Sequence, residues 1–234
     1  RPPRSTPKPS SAASDVYKRQ DLVVATPTAD VLGHSNNGRV DVYHGSSTGL
    51  SSAPDVILAG EGDDFHFGMG MSLGDFNADG LHDLAVGVPG WYNITQTLGI
   101  QGQIQVFNGH QNGLQSQPTW AASGSGDDGL GSVVQSLEQS GGSSVLAASA
   151  HGWDNGLSGS EQKTGKISMF TFETGAMQLE RNLTQSSNGN MFGRSMEACD
   201  IDGDSYDELI VGNTGTYDLS LIHISEPTRR YAIS

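Results

Sequence analysis

The chain is short of cysteine, of basic residues and of long apolar runs. Its one cysteine, Cys199, excludes an internal disulfide and a cysteine-based zinc site, so a small buried thiol is its expected role. Only 12 Lys and Arg stand against 26 Asp and Glu in 234 residues, which disfavours nucleic acid and anionic membranes as partners. No apolar stretch is long enough to span a bilayer, so we expect no direct membrane insertion of this segment.

Glycine is abundant, with 32 residues, and hydrophobic residues make up only 35% of the chain. Many serines and asparagines accompany the glycines, and the apolar segments are short. This composition indicates a soluble, turn-rich, all-β protein.

Both ends of the chain are expected to be foreign to the protein. Leu219–Ile224 can be encoded by a DNA segment whose complementary strand encodes Asp15–Gln20, a relation that protein chemistry does not explain. The ends resemble the transposon-end adapter of sequencing libraries. We therefore expect residues 1–20 and 219–234 to be adapter-derived and disordered, and residues 21–218 to be a native fragment cut at both ends. A basic, Pro/Ser-rich targeting segment is the alternative for the first end.

The charge balance is more acidic once these ends are set aside. Residues 21–218 keep 5 basic and 24 acidic side chains, a formal charge of −19. Such a surface attracts cations and favours solubility.

Four short sequence markers recur in residues 21–218 at a spacing of 61 to 64 residues. The first is an apolar strand segment, the second a glycine followed by alternating residues, the third a Phe-Gly or Leu-Gly pair, and the fourth a Gly-x-Gly-Asp-Asp turn. They lie at Asp21–Pro27, Asp83–Pro89, Ser144–Ala148 and Glu208–Gly212; at Gly38–Tyr43, Gly102–Phe107 and Gly165–Phe170; at Phe67–Gly68, Leu130–Gly131 and Phe192–Gly193; and at Gly60–Asp64 and Gly124–Asp128. Repetition of this kind predicts a repeat architecture.

The repeat is predicted to be a small twisted sheet of about four strands. Within Gly38–Tyr43, Val40 and Val42 point one way while Arg39 and Asp41 point the other, as a half-buried strand requires. Such a sheet cannot bury its own faces, and stacking sheets around an axis covers each face with its neighbour. We therefore predict an all-β fold, a β-propeller fragment of about three four-stranded blades. A β-sandwich, the alternative, does not need markers at equal spacing.

An acidic loop, residues 75–83, precedes one of the apolar strands. Oxygen-bearing side chains occupy positions 1, 3, 5 and 9 of this loop, Gly80 at position 6 allows a sharp turn, and position 7 offers a backbone carbonyl. This pattern suits a hard cation that takes about six to eight oxygens. An EF-hand would need a bidentate Glu at position 12, where Val86 stands. The predicted Ca²⁺ ligands are Asp75, Asn77, Asp79, Leu81 and Asp83.

A second acidic loop, residues 200–208, has the same spacing with two departures. Position 6 is Ser205 rather than glycine, and position 9 is Glu208 rather than Asp; Gly203 is expected to carry part of the turn. The predicted Ca²⁺ ligands are Asp200, Asp202, Asp204, Tyr206 and Glu208. The corresponding segment Ser136–Ser144 offers one carboxylate and is expected to bind no metal, and the first unit keeps only Asp21, at position 9. The alternative for both acidic loops is a hydrogen-bonded turn without an ion.

The stretch from Phe67–Gly68 through Asp75–Asp83 to Gly87–Pro89 resembles an FG-GAP repeat, the blade unit of integrin α-chain propellers. The resemblance extends over residues 21–218 and implies a seven-bladed, calcium-binding, extracellular or cell-surface propeller. It implies a non-catalytic module for cell adhesion, with a protein or glycan ligand and a β-subunit-like partner. The repeats are also similar to the accessory propeller of a secreted glycosylphosphatidylinositol-specific phospholipase D, which is the alternative. On that hypothesis the zinc-dependent catalytic domain lies outside this sequence.

Two glycosylation acceptor patterns are present, at Asn93 and Asn182. They make a glycoprotein an expectation, if the source is a eukaryote.

Two catalytic patterns are better explained by the repeat, so no catalytic residue is predicted. Gly70–Gly74 matches a nucleophile elbow around Ser72, but the elbow needs a strand–turn–helix and no helix is expected here. Gly124–Gly129 matches a dinucleotide fingerprint, but its aspartates would face a pyrophosphate. The aromatic residues are expected to pack between blades. Trp91, Tyr92 and Trp153 follow strands in long loops, so they are the aromatic residues for which an exposed binding face is the alternative.

Overall fold

The computed structural model describes seven stretches of the chain, and all of their regular structure is β. The described residues are 20–90, 102–125, 128–139, 143–153, 164–184 and 191–213, with the backbone of Ile222–Ile224. The prediction of an all-β chain is confirmed.

Blade 1 is a three-stranded antiparallel sheet in the order β1-β2-β5. Its strands are β1 (Leu22–Thr26), β2 (Arg39–Tyr43) and β5 (Val56–Ala59). A short hairpin of β3 (Gly45–Ser46) and β4 (Gly49–Leu50) lies between β2 and β5.

Blade 2 has the predicted four strands, in the order β6-β7-β8-β11. These are β6 (Met71–Gly74), β7 (Asp83–Val88), β8 (Gln103–Phe107) and β11 (Trp120–Ser123), with a hairpin of β9 (Gly109–His110) and β10 (Gly113–Leu114) after β8.

Blade 3 also has four strands, in the order β12-β13-β14-β15, and blade 4 has three, in the order β16-β17-β18. The strands of blade 3 are β12 (Val134–Leu137), β13 (Val145–Ala150), β14 (Lys166–Glu173) and β15 (Ala176–Thr184). The strands of blade 4 are β16 (Ser195–Cys199), β17 (Glu208–Gly212) and β18 (Ile222–Ile224). Strand β18 lies in the end predicted to be adapter-derived; it pairs with β17, and the origin of that end stays a prediction.

The first strands of blades 2, 3 and 4 are neighbours, which places the sheets around a common axis. The N–H of Ser136 on β12 donates to Oγ of Ser72 on β6 at 2.9 Å, and Nε2 of Gln135 donates to the carbonyl of Met196 on β16 at 3.0 Å. Consecutive antiparallel sheets joined in this way are blades of a β-propeller.

Each seam, the interface between two successive blades, contains its own apolar core. Adjacent residues of one strand pack into the cores on its two sides. On β7, Leu84 and Val86 pack against blade 1, while Ala85 packs against blade 3. On β13, Leu146 faces blade 2 and Ala147 faces blade 4. All six residues of β7 and of β13 are buried. Two-sided burial explains why these strands read as continuous apolar runs.

The second and third sequence markers meet at the seams. Gly165 has a φ of 79°, and a Cβ there would overlap the backbone of Phe192 in the next blade. The N–H of Phe192 donates to the carbonyl of Thr164 at 3.0 Å, and the N–H of Phe67 donates to that of Asn37 at the same distance. Only glycine combines this backbone conformation with so close an approach, so the two markers recur together.

Candidate metal centres

The two acidic loops occupy equivalent places, each between the first and second strands of a blade. Cation loop A (residues 75–83) joins β6 to β7, and cation loop B (residues 200–208) joins β16 to β17. The pairs Gly74–Asp83 and Cys199–Glu208 close the two hairpins. Position 9 of each loop is therefore the first residue of a buried strand, which fixes one carboxylate beneath the loop.

Cation loop A is held by side-chain oxygens that accept hydrogen bonds from its own backbone. Oδ2 of Asp75 accepts from the N–H of Gly80 at 2.8 Å. Oδ1 of Asn77 accepts from the N–H of Asp79 at 2.9 Å, and Oδ1 of Asp79 accepts from that of Leu81 at 2.8 Å. These bonds turn the oxygens at positions 1, 3 and 5 toward the inside of the loop.

Cation loop B repeats this pattern with different residues. Oδ2 of Asp200 accepts from the N–H of Ser205 at 3.0 Å. Oδ1 of Asp202 accepts from the N–H of Asp204 at 3.1 Å, and Oδ1 of Asp204 accepts from that of Tyr206 at 2.9 Å. The two loops thus share one local structure despite their departures in sequence.

Position 9 is buried in both loops and bonded to the backbone of position 2. Asp83 is 0% exposed, and its Oδ2 accepts from the N–H of Phe76 at 3.0 Å. Glu208 is 5% exposed, and its Oε2 accepts from the N–H of Ile201 at 2.8 Å. Glutamate therefore replaces aspartate here with the same contact.

Burial raises the pKa of Asp83 from 3.8 to about 6. The hydrogen bonds from the N–H groups of Gly109 and Phe76 work against this shift, and the nearby charges of Asp79 and Asp75 add to it. A buried carboxylate beside two others is costly in charged form. A cation between them would remove that cost.

In cation loop B, ligand oxygens of Asp200, Asp202 and Glu208 all lie within 4.8 Å of one another. Within the described stretches, no other three His, Cys, Asp or Glu side chains meet this condition. Loop A has the amide of Asn77 where loop B has Asp202. Loop B therefore brings three acidic side chains closer together than loop A does, although its sequence departs further from the pattern at positions 6 and 9.

The donor set of both loops fits a hard divalent cation. Every side chain offered is a carboxylate or an amide, and Leu81 and Tyr206 lie on the exposed part of their loops with backbone carbonyls to contribute. Calcium takes about six to eight oxygens in flexible geometry, whereas magnesium demands an octahedron and keeps water ligands. A carboxylate oxygen can accept an N–H bond and ligate a metal together, because it has two lone pairs.

Both loops use left-handed backbone at positions 4 and 6, with glycine at one of the two. In loop A these residues are Ala78 (φ 60°) and Gly80 (φ 84°). In loop B they are Gly203 (φ 83°) and Ser205 (φ 73°). The expectation that Gly203 carries part of the turn fits this geometry, in which Ser205 carries the other part.

Ser205→Gly should raise the free energy of unfolding by about 0.5 kcal/mol, because glycine adopts this backbone without steric cost. Gly203→Ala should lower it by about 1 kcal/mol, although open space surrounds this position. Urea unfolding measures both. Changes of the same sign in the two variants would contradict this account of the turn.

The other two units lack the full ligand set. In blade 3 the pair Leu137–Val145 takes the place of Gly74–Asp83, and the loop is one residue shorter. Glu138 therefore stands at position 1, and Val145, which has no side-chain oxygen, stands at position 9 as the first residue of the following strand. The comparison by sequence started this loop at Ser136, two residues too early. In blade 1, Oδ1 of Asp21 accepts from the N–H of Gly45 at 2.8 Å.

Asp21 accepts the same kind of backbone hydrogen bond that Asp83, at position 9, accepts in blade 2. There, Oδ1 of Asp83 accepts from the N–H of Gly109 at 2.9 Å, at the equivalent hairpin. Asp21 thus has the structural place that the repeat assigned to it.

The remaining predicted residues are placed as follows. Ser72 lies on strand β6 and its Oγ accepts a hydrogen bond from the next blade, which does not suit a nucleophile elbow. Trp153 is half-buried against the core between blades 2 and 3, with Nζ of Lys166 5.4 Å from its ring centroid. Trp153 therefore packs between blades, as the favoured expectation had it, and does not suit the alternative of an exposed binding face. Trp91 and Tyr92 lie outside the described residues.

Of the two glycosylation acceptors, Asn93 lies outside the described residues. Asn182 is exposed on β15, and its Oδ1 accepts from Oγ of Ser168 at 2.7 Å. Its use as an acceptor stays a prediction.

The repeat units match a known family model. Residues 67–107 and 192–224 match the FG-GAP repeat. The chain carries FG-GAP repeats. The matched ranges contain cation loops A and B in full, and they omit the blade 3 loop that lacks the ligands.

The FG-GAP chain is similar to two kinds of curated protein. It is 28% identical to integrin alpha-5 of Xenopus laevis over 221 residues, 89% of this chain and 19% of the relative. It is 35% identical to the phosphatidylinositol-glycan-specific phospholipase D of Homo sapiens over 106 residues, 42% of this chain and 12% of that enzyme. The chain therefore spans less than a fifth of the length of either relative.

One solved structure also resembles the FG-GAP chain. It is a rhamnogalacturonan lyase, with a TM-score of 0.46 and 13% identity, covering 84% of this chain and 39% of that one. The propeller assignment rests on the sheets described above.

Proposed function

We propose that this FG-GAP propeller is a non-catalytic module in which Ca²⁺ stabilises the blades. The observation that carries the proposal is the shared hydrogen-bond pattern of cation loops A and B. Two loops of different sequence hold oxygens at positions 1, 3, 5 and 9 in the same way. The calcium ligands proposed are those predicted from the sequence.

We propose that the module acts in adhesion or in macromolecular binding outside the cell or at its surface. The similarity to integrin alpha-5 over 89% of this chain supports a protein or glycan ligand and a β-subunit-like partner chain. No helix in the described part of the chain is long and apolar enough to cross a membrane. A rigid disc of blades that presents loops is suited to such binding.

A second candidate is the accessory propeller of an enzyme. The observation that favours it is the 35% identity to the phosphatidylinositol-glycan-specific phospholipase D of Homo sapiens. The two hypotheses differ in what adjoins the repeats in the complete reading frame: a domain rich in His and Asp ligands for the enzyme, further repeats for the adhesion protein. On both, the 234-residue chain should not cleave a phosphatidylinositol-glycan.

Calorimetric titration of the 234-residue chain with CaCl₂ tests the calcium proposal. We expect two ions to bind, and MgCl₂ at the same concentrations to give much less heat. Asp79→Ala should remove one ion and Asp204→Ala the other. Binding of no calcium, or unchanged stoichiometry in both variants, would refute the proposal.

The calcium effect should depend on pH through Asp83. Its pKa in the folded chain is about 6, above the ordinary value of 3.8. In calcium-free protein, the stabilisation that comes from protonated Asp83 is therefore fully present below pH 3.8, and it is lost as the pH rises through about 6. Calcium needs the ionised carboxylate, so stabilisation by calcium should appear over the same range and fade below it.

Thermal midpoints with calcium and with a chelator, about one pH unit either side of 6, measure this effect. The calcium increment should be larger at the higher pH. Asp83→Asn serves as the control and should flatten the pH dependence. An equal increment at both pH values in the unaltered chain would contradict the assignment of Asp83.

A further inference from the structure

The loop between β12 and β13 of blade 3, of which the structure describes residues 138–139 and 143–144, is here called the bridge loop, and it contacts cation loop A. The N–H of Asp75, the first residue of loop A, donates to Oγ of Ser144 at 3.1 Å. The N–H of Ser144 donates back to the carbonyl of Asp75 at 2.7 Å. A reciprocal pair of bonds therefore joins position 1 of blade 2 to position 8 of blade 3.

The bridge loop contacts cation loop B through a second reciprocal pair. The N–H of Glu138 donates to Oδ2 of Asp207 at 2.8 Å, and the N–H of Asp207 donates to the carbonyl of Glu138 at 3.2 Å. Asp207 directly precedes Glu208, the proposed ligand at position 9. The partners are 69 residues apart in both pairs, so the same contact recurs at two successive seams.

The two pairs are connected within the bridge loop. Oγ of Ser144, which accepts from Asp75, lies 3.4 Å from Oε1 of Glu138 and can donate to it. Ser144 is 1% exposed, so water does not compete for its hydroxyl group. A continuous line of polar contacts thus runs from loop A through Ser144 and Glu138 to loop B.

We infer that the bridge loop couples cation loops A and B, so that an ion in one raises the affinity of the other. This inference rests on the proposed function, because it assumes that both loops bind cations. An ion at loop A fixes Asp75, which orders Ser144 and Glu138. Asp207 of loop B is then already held by Glu138 before the second ion binds, so that ion has less of the loop B backbone to order. The bridge loop lacks a ligand at position 9 and still makes both pairs of bonds.

Calcium titration of loop B tests the coupling, with loop A intact and with loop A disabled by Asp79→Ala. In the 234-residue chain, Asp79→Ala should weaken loop B about fivefold, the effect of roughly one lost hydrogen bond. In a Ser144→Ala background the same change should leave the affinity of loop B unaltered. Ser143→Ala is the matched control, since Ser143 lies in the bridge loop next to Ser144 but takes no part in these bonds, and it should preserve the fivefold effect.

If Ser144→Ala fails to fold, two variants of Asp207 test the same coupling. Asp207→Asn keeps an acceptor oxygen for the N–H of Glu138 and should retain the coupling, whereas Asp207→Ala should lose it. Two ions that bind independently in the unaltered chain would overturn the coupling and leave the proposed function standing. Failure to bind any calcium would overturn both.

Discussion

Saturating calcium should raise the thermal midpoint of the 234-residue chain by about 10–20 °C, and Asp79→Ala should remove more than half of that rise. At about 100 times its dissociation constant each ion contributes about 2.7 kcal/mol, and 1 kcal/mol corresponds to about 2–4 °C in a chain of this size. A bound ion would offset the repulsion among Asp75, Asp79 and the buried Asp83. Loss of one carboxylate should abolish binding at loop A directly and, through the proposed coupling, weaken binding at loop B.

Differential scanning calorimetry with calcium and with a chelator makes this measurement. Glu197→Ala is the control for charge, because Glu197 is exposed on β16 outside both loops, and it should keep the full rise. The double variant Asp79→Ala, Asp204→Ala should show none. A rise of the same size in the double variant would mean that calcium acts elsewhere.

The second large effect is expected at the seam between blades 3 and 4. Gly165→Ala should lower the free energy of unfolding by about 3–5 kcal/mol, through left-handed backbone strain and overlap with Phe192. The matched control is Gly175→Ala at the β14–β15 turn. Gly175 has a similar φ of 87°, but nothing lies within 4 Å of the added atom.

The control isolates backbone strain, which costs about 1–2 kcal/mol. Urea unfolding of both variants gives the difference, which is the contribution of the close approach between blades. Equal losses in Gly165→Ala and Gly175→Ala would show that the seam tolerates the added methyl group, and the explanation of the paired markers would be wrong.

The strands and the repeat were predictable because local patterns specify them. Val40 and Val42 alternate with polar residues and are buried in the core between blades 1 and 2, as the alternation indicates. The Phe67–Gly68 and Gly38–Tyr43 markers recur because glycine is needed where one blade meets the next. The position of Asp83 at the start of a buried strand also followed from the apolar run behind it.

Features set by contacts between blades were not predictable. The pairing of Asp75 with Ser144 and of Glu138 with Asp207 joins residues 69 apart, and nothing in a single unit marks them. The start of the bridge loop was misplaced because its ligands are missing. The aromatic character of Trp153 favoured packing between blades, but its place in a long loop did not indicate which core it joins, the one between blades 2 and 3.

The last two strands of blade 3 also differ from those of its neighbours, and the sequence repeat does not indicate this difference. Its last two strands, Lys166–Glu173 and Ala176–Thr184, form one long hairpin with a bulge at Met169/Phe170. Blades 1 and 2 have a short hairpin there before their last strand. The turn at Thr174–Gly175 sets this register, and the sequence markers do not extend to it.

Anomalous scattering from crystals of the 234-residue chain grown with calcium tests the central claim most directly. One peak is expected in each acidic loop, with none at the bridge loop. The oxygens around the two peaks should be those of Asp75, Asn77, Asp79 and Asp83 and those of Asp200, Asp202, Asp204 and Glu208. A structure with calcium in the crystal and no peak in either loop, or with those oxygens turned apart, would contradict it.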